Sequence, residues 1–370
     1  MLVEFDLGVV LYLLILSKFI KKRNLFFSFI GFLIFFCNCN QIPVPIFPKG
    51  VSSVVTGWEG KRDLSSKECK NCHSVSHAEW QEGMHSRAWI DPLFQNAFAQ
   101  ERQEWCIHCH APLQEQKNEF INPKKGYNLL NEGINCVSCH VRDGKVLGFK
   151  NLKNDFHEVI RFDYLKTSEF CENCHQFNFP RFSGKEIHYS KEPMQNTYVE
   201  WRNSISGRTC QDCHYDGHKL LGNHNPERLL KDFSDIEYEF SEKGLLHISF
   251  LINKNRGHVL PTGDLFHSIQ LEVSLDSKFK TIYYKKKWAR IYGLGKIGEN
   301  VFWNRKLISN HGIQPEQDKI NLTIDAPSQN KILYIRLVYY FHDQELGGRV
   351  ELPPKEKLFV IREKMLKNKN

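Results

Sequence analysis

Hydrophobic and polar positions divide the chain into stretches of distinct texture. At the N-terminus two apolar runs, Leu7 to Ile20 and Leu25 to Cys37, are separated by Lys18, Lys21, Lys22 and Arg23. Each is shorter than the roughly 20 residues a spanning helix needs. The second run, with a basic flank before it and polar Asn38 to Gln41 after it, reads as a secretory signal, and the first as upstream sequence. A pair of anchoring helices is the alternative. Residues 42–57 carry Pro43, Pro45, Pro48 and Gly50 without a period and read as an extended tether. From Trp58 onward Trp80, Trp89, Phe94, Phe98 and Trp105 recur at near-helical spacing, which predicts short helices over Ser76 to Trp89 and Asp91 to Glu104.

Beyond residue 240 the apolar period shortens to two. Leu245 to Ile252, Ile269 to Leu275, Lys280 to Tyr284, Trp288 to Tyr292, Ile320 to Ile324, Ile332 to Phe341 and Leu358 to Ile361 alternate as strands do. Seven such runs predict a small antiparallel β-sandwich. The expected class is therefore α+β. Segment 1–39 is a signal peptide or lipoprotein signal, 40–57 a tether, 58–239 a mainly helical and loop-built domain, and 240–365 the sandwich.

The helical part contains Cys-x-x-Cys-His five times: Cys69/Cys72/His73, Cys106/Cys109/His110, Cys136/Cys139/His140, Cys171/Cys174/His175 and Cys210/Cys213/His214. This is the attachment signature of c-type haem. Two thiols so spaced can form thioethers to the vinyl groups of one haem, and the adjoining histidine is held beneath the iron as proximal ligand. Zinc sites also use paired cysteines, but they do not require a histidine directly after the second one. A redox Cys-x-x-Cys pair normally occurs once per domain. Five covalently attached haem c groups are expected. The motif spacings of 37, 30, 35 and 39 residues are too uneven for a solenoid, and so little chain per motif implies that the haems form the core.

The formal charge of +8 does not imply a nucleic-acid partner, because five haems would add about ten propionate charges, partly offset by ferric iron. Lys285 to Lys287 reads as a solvated strand end. Cys39, in Phe36-Cys37-Asn38-Cys39-Asn40, resembles the modified cysteine of a bacterial lipoprotein, although Cys37 and Asn38 depart from the usual small residues. Cleavage before it would remove Cys37, which suits an oxidising compartment. The periplasmic side of the envelope is the expected location, with a lipid anchor at Cys39 as one means of holding the membrane. Redox proteins acting as donor and acceptor are the expected partners.

Five of seventeen histidines serve as proximal ligands, which leaves twelve for other roles. With four methionines in the chain, Met1 included, His/Met ligation could serve two or three haems at most, so bis-histidine haems of low potential are expected. A distal ligand approaches from the face opposite the proximal histidine and so comes from a different segment. His85, His157, His218, His224 and His258 are the candidates. His188 reads as either a ligand or a surface-loop residue. His77 and His108 crowd their own motifs, while His247, His267, His311 and His342 lie among the strands, where a satisfied or exposed histidine is the default. His258 lies in Gly257-His258-Val-Leu-Pro261-Thr262-Gly263, which should form a rigid loop at one end of the sandwich. Either this is a plain turn or it presents His258 to an iron, with Gly257 admitting the porphyrin edge and Pro261 restricting the loop.

On these motifs the chain resembles the bacterial multihaem cytochrome c superfamily that includes the cytochrome c-554 type and the haem-packing parts of hydroxylamine oxidoreductase. Trp80 and His85, Gly133-Ile-Asn-Cys136-Val-Ser-Cys139-His140, Ser168-Glu-Phe-Cys171-Glu-Asn-Cys174-His175-Gln176-Phe177, Met194-Gln-Asn-Thr-Tyr-Val-Glu-Trp201 and the loop of His258 carry the resemblance, which points to a secreted pentahaem subgroup with a β-rich tail. Many relatives have methionine after the last haem histidine, where this chain has Tyr215. The resemblance implies a carrier of single electrons between closely packed haems. It also implies an alternative, a reductase or oxidase of a small nitrogen or sulfur compound at one open-coordinate haem. The lysine-ligated Cys-x-x-Cys-Lys motif of pentahaem nitrite reductases is absent, so catalysis is left open. A haem-based sensor would need a signalling domain that the sequence does not carry.

Overall fold

The computed structural model describes residues 64–367 apart from 101, 124–125, 127, 143, 154–155, 184–185, 223, 255, 295–304, 328–331 and 348–356. The apolar N-terminal runs, Cys39 and the tether lie outside the described residues. The described residues fall within one compact unit.

The haem region is a succession of short helices joined by 3-10 turns. The helix expected over Ser76 to Trp89 is Ser74–Glu82. It stops at Gly83, whose ψ of 155° leaves the helical region, and the chain resumes as the 3-10 turn Met84–Arg87. A Cβ at Gly83 would run into the carbonyl oxygen of Lys219, so only glycine allows that approach. The next helix, Pro92–Gln100, is capped by Asp91, whose Oδ2 accepts the N–H of Phe94 at 2.8 Å. Trp89, Phe98, Trp105, Ile107, Leu130 and Phe177 form one small apolar cluster, and Leu113, Leu129, Val137 and Val141 another. Both contain or adjoin motif residues.

Two strand-built elements interrupt this helical part. A four-stranded sheet of Val141–Arg142, Lys145–Gly148, Leu152–Lys153 and Glu158–Arg161 follows the third motif. A hairpin of Gln176–Ser183 with Glu186–Asn196 follows the fourth. Neither alternates over enough residues to be read from pattern alone.

The C-terminal part holds nine strands among the described residues: β1 (Glu237–Phe240), β2 (Leu245–Leu251), β3 (Ser268–Ser274), β4 (Ile282–Trp288), β5 (Arg290–Leu294), β6 (Arg305–Asn310), β7 (Lys319–Asp325), β8 (Leu333–Tyr340) and β9 (Leu358–Leu366). One sheet has the order β4-β3-β8-β9 and a second β7-β2-β1, while β5 and β6 form a ribbon. Every strand pairing here is antiparallel. The two sheets share a core built from alternate residues, Leu246, Ile248 and Phe250 of β2 against Ile269, Leu271 and Val273 of β3 and Ile335 and Leu337 of β8. The α+β architecture expected from the pattern is the one observed.

The opposite face of β3 is buried and polar. Ser268 Oγ and Gln270 Nε2 each donate to Asp343 Oδ2 at 2.8 Å, and Arg336 Nε donates to Glu272 Oε2 at 2.7 Å. Of the lysine run, Lys285 and Lys287 lie on this face, Lys285 exposed and Lys287 largely covered. Lys287 pairs with Asp343 at 2.5 Å and Glu345 at 2.6 Å, with only 13% of its side chain exposed. The register explains this, since Lys287 stands opposite Gln270 and Lys285 opposite Glu272.

Candidate haem-ligation sites

The third and fifth Cys-x-x-Cys-His motifs each occupy a single helical turn fixed by local capping. Asn135 Oδ1 accepts the N–H of Ser138 at 3.2 Å ahead of Cys136–His140. Thr209 and Asp212 cap one another ahead of Cys210–His214, with the Thr209 N–H donating to Asp212 Oδ2 at 2.7 Å. The turn leading into the first motif, Ser66–Lys70, is held by the buried Glu132, which accepts from Ser65 Oγ at 2.8 Å, Ser66 N at 2.9 Å and Asn135 Nδ2 at 2.9 Å. One helical turn puts both thiols and the following imidazole on the same side, as two thioethers and an iron bond from one haem require.

Four motif histidines face a second imidazole across a gap. The ring centroids are 6.2 Å apart for His73 and His157, 6.4 Å for His175 and His85, 6.1 Å for His140 and His218, and 6.0 Å for His214 and His258. Rings in direct contact would stand about 3.5–4 Å apart. An iron between two imidazoles, with metal–nitrogen bonds of about 2 Å, sets the centroids about 6 Å apart. The pairs therefore fit a bis-histidine iron and do not fit simple stacking. The remaining motif histidine, His110, carries Phe94 stacked on its ring at 3.6 Å.

Hydrogen bonds set the tautomers of several of these rings. Nδ1 of His110, His140 and His214 lies 2.6, 2.9 and 2.6 Å from the carbonyl oxygens of Ala88, Leu147 and Leu221. Nδ1 of His258 is 2.9 Å from the Val259 carbonyl. A carbonyl only accepts, so the proton sits on Nδ1 and Nε2 keeps its lone pair for a metal. His218 is held differently: its backbone N–H donates to Glu79 Oε2 at 3.0 Å, and its Nδ1 lies 3.4 Å from the same oxygen.

Burial also favours the neutral, ligating form. Burial pushes His85 and His175 down to about 4, helped by neighbouring histidines. It lowers His110, His140, His214 and His258 as well, against the opposing pull of their carbonyl partners. An imidazole that resists protonation stays available to iron.

The motifs also touch one another through their thiols. Cys69 lies within reach of Cys136, Cys109 of Cys174, and Cys171 of Cys210. Cys139 lies within electrostatic reach of Cys174. The first motif thus abuts the third, the third reaches the fourth, and the fourth meets both the second and the fifth. Among the described residues no three His, Cys, Asp or Glu groups converge as a metal site. The thiols meet in twos, each from a different motif.

Of the ten cysteines expected to attach haem, Cys106 is buried in the apolar cluster of Trp105 and Ile107, while Cys72 and Cys213 lie elsewhere. Cys72 is exposed, and Cys213 is half-buried, with its backbone carbonyl accepting from Arg228 Nη2. Both stand apart from the thiol contacts between motifs. Each is the second cysteine of a terminal motif, the first or the fifth, and that motif meets its neighbour through its other thiol, Cys69 or Cys210. Their place in the helical turn is kept, since the Cys72 N–H donates to the Cys69 carbonyl at 3.2 Å and Cys213 lies within the helix Cys210–His214.

Of the histidines singled out in the sequence, His85, His157, His218 and His258 stand opposite motif histidines. His224 does not; its ring lies 5.7 Å from that of Phe341. His77 is buried against Trp80, and His247 Nδ1 lies 2.9 Å from Thr323 Oγ1. The loop Gly257–Gly263 is tied at several points: Thr262 Oγ1 donates to Glu200 Oε2 at 2.6 Å, Arg290 Nη2 donates to the Gly263 carbonyl at 2.6 Å, and Leu260 bridges to Ile313. Gly257 makes room for Trp201, whose Cδ1 would stand 3.2 Å from an added Cβ. Sequence reasoning missed Glu79, Glu132 and Gly133. Only Gly133 left a trace, as a glycine just ahead of a motif.

Residues 68–141, which hold the first three motifs, match the family model for cytochrome c554 and c-prime. The chain is similar to the crystal structure of a penta-heme cytochrome c552 from Thermochromatium tepidum, with a TM-score of 0.61 and 18% identity over 82% of this chain and 99% of that one. At that identity the likeness is one of fold. No curated protein sequence matches the chain.

Proposed function

From the match of residues 68–141 to the cytochrome c554 and c-prime family model, we propose that the chain is a pentahaem electron-transfer protein of that multihaem family, with four bis-histidine haems and a fifth, at His110, ligated differently. The observation that carries this reading is the set of four imidazole pairs at 6.0–6.4 Å. Haem, when bound, supplies the one-electron chemistry of its iron. The protein's part is to hold His73/His157, His140/His218, His175/His85 and His214/His258 in fixed geometry, so that little rearrangement accompanies a change of charge. The thiol contacts give the order of the path: first motif, third, fourth, then a branch to the second and the fifth. The fourth motif is the junction, and its His175 stands 6.4 Å from His85. Cys72 and Cys213 complete the attachment pairs with Cys69 and Cys210.

The protein acts on the periplasmic side of the envelope, where c-type haem is attached. It is delivered by the apolar segment ahead of Cys39, held by a lipid on that cysteine, and exchanges electrons with protein partners. Cys39→Ser should shift it from the membrane fraction to the soluble one.

The test is a count. Protein matured in a secretory compartment should carry five covalent haems by mass spectrometry, and its ferric spectrum should be low-spin in four of them. Bound zinc without haem adducts, or a high-spin majority, would sink the reading.

A further inference from the structure

Two arginines flank the fifth motif from the side of the sandwich. Arg228 Nη2 donates to the carbonyl oxygen of Cys213, inside the motif itself. Arg256 follows β2 and stands two residues ahead of His258, so its Cα is no more than about 7 Å from that of the residue facing His214. The segments of the two arginines are tied together, since the Asn253 N–H donates to the Asp232 carbonyl at 2.8 Å and the Ser234 N–H to the Leu251 carbonyl at 2.9 Å. Between Arg256 and His258, Gly257 packs on Trp201 and Ser206, whose side chains would stand 3.2 Å and 3.6 Å from an added Cβ. Those residues lie just ahead of Cys210 in the chain. Arg256 is thus fixed beside the fifth motif by the backbone on either side of it.

Its guanidinium is only partly satisfied. The residue is 6% exposed. Nη2 donates to the carbonyl oxygens of Gln314 at 2.5 Å and Gln317 at 3.1 Å, with that of Pro315 at 3.4 Å, which occupies its protons. Nε and Nη1 are buried and have no hydrogen-bond partner. Asp232 and Glu316 are near enough to act on the group electrostatically, but neither hydrogen-bonds to it. A permanent cation therefore keeps unmatched N–H groups inside the protein, an arrangement that calls for an anionic oxygen to meet them.

We propose that Arg256 binds a propionate carboxylate of the fifth haem through Nε and Nη1, with Arg228 as a second positive charge beside it. This rests on the reading above that His214 and His258 share one iron. Each propionate of haem c is an anionic acceptor, and attachment through Cys210 and Cys213 keeps the group next to both arginines. Against the single carboxylate of Asp232 the two arginines leave one positive charge over, which a propionate matches. The sandwich then supplies this haem with an axial nitrogen and a cation from residues 256–258 alone. A positive charge held beside the haem favours the ferrous state, which carries one charge less than the ferric. Arg256 thus raises the potential of the fifth haem above what the same two imidazoles would give without it.

The experiment is a redox titration of the holoprotein followed by visible and paramagnetic resonance spectra, with the fifth haem identified as the one whose low-spin signal His258→Ala removes. Arg256→Gln keeps an amide donor and removes the charge. It should lower the reduction equilibrium constant of that haem about tenfold, which is about 59 mV for a one-electron couple, and leave the other haems within about twofold. Arg256→Lys keeps the charge and should lower it by less than about threefold. In resonance Raman spectra the propionate bending band of one haem should shift in Arg256→Gln, a change that loosening of the turn at 314–317 would not itself produce. Equal potentials in the Gln and Lys variants would show that Arg256 only braces that turn, and would overturn the proposal. So would a fifth haem within about twofold of wild type in Arg256→Gln, with its propionate band unmoved. A His258→Ala protein that loses no low-spin haem is a different failure, that of the shared-iron reading, and the proposal falls with it.

Discussion

Replacing His258 with alanine isolates the contribution of the strand-rich part to the haem array. The ring is half-buried, stands 6.0 Å from His214 at an interplanar angle of 15°, and is oriented by the Val259 carbonyl at 2.9 Å. His258→Ala removes one axial nitrogen, so about a fifth of the low-spin ferric signal should convert to high-spin while the rest is retained. Loss of the ring should cost about 2–4 kcal/mol. The loop should nevertheless stay docked, because Thr262 remains bonded to Glu200 at 2.6 Å, Arg290 to Gly263 at 2.6 Å, and Leu260 and Ile313 exchange backbone bonds of 3.0 and 2.7 Å. The space left by the ring admits free imidazole, which should restore the low-spin signal. His224→Ala is the control, since that ring lies against Phe341. An unchanged spectrum in His258→Ala, or a converted haem in His224→Ala, would refute the assignment.

Three further expectations follow from contacts elsewhere. Gly133 has φ +58°, and a Cβ there would stand 2.6 Å from the His85 carbonyl oxygen, so Gly133→Ala should displace His85 and broaden or lose the low-spin signal of the His175 haem before the others. Lys287→Met should destabilise the sandwich by about 3–5 kcal/mol in denaturant unfolding, because Asp343, 5% exposed, loses its counter-charge; a cost under about 1 kcal/mol would show that Ser268 and Gln270 suffice. Hydrogen bonds from Lys285 and Lys287 hold the Glu345 carboxyl down at about 2. A depressed acid stabilises the fold above its unfolded value of 4.5, and that contribution is lost as pH falls toward about 2. With Glu345 63% exposed, screening limits the effect to about 0.5–1 kcal/mol, so wild type and Glu345→Gln should differ slightly in Tm at pH near neutrality and converge in acid.

The motifs were legible because thioether formation and iron ligation demand residues adjacent in sequence. The sandwich was legible because Leu246, Ile248 and Phe250 alternate along one strand and bury one face. Distal pairings were not, because an imidazole identifies itself as a ligand only by what stands opposite it. His218 and His224, six residues apart, look alike in sequence, yet one faces His140 and the other Phe341. Nor does the motif say which of its thiols meets a neighbour: Cys69 and Cys72 are equivalent in the pattern, and only the first is packed against Cys136. The small sheet after the third motif escaped notice because its strands are two to four residues long and held by pairing alone. Lys287 looked solvated because its partners, Asp343 and Glu345, lie nearly sixty residues further on. Gly257 was expected to admit a porphyrin edge, and it is Trp201 that occupies the space.

The four imidazole pairs connect residues 84, 90, 78 and 44 positions apart. Closing a loop of that size from a disordered chain costs about 3–4 kcal/mol of entropy. The haem region has only two small apolar clusters with which to offset four such closures. On the proposed ligation, iron bonds between the rings would hold the segments together, and the crossing pattern would make them interdependent. His85, between the first two motifs, reaches the fourth; His157, between the third and fourth, returns to the first; His218, after the fifth, returns to the third. Losing one haem therefore opens a loop that spans other motifs. The sandwich escapes this dependence, since Leu246, Ile269 and Leu337 are buried in a continuous core of its own. Cys171→Ala with Cys174→Ala should accordingly unfold the haem region, where His175 is the junction, and leave the strand circular dichroism of the sandwich in place. Coincident loss of both would show that the sandwich depends on the haems for its stability.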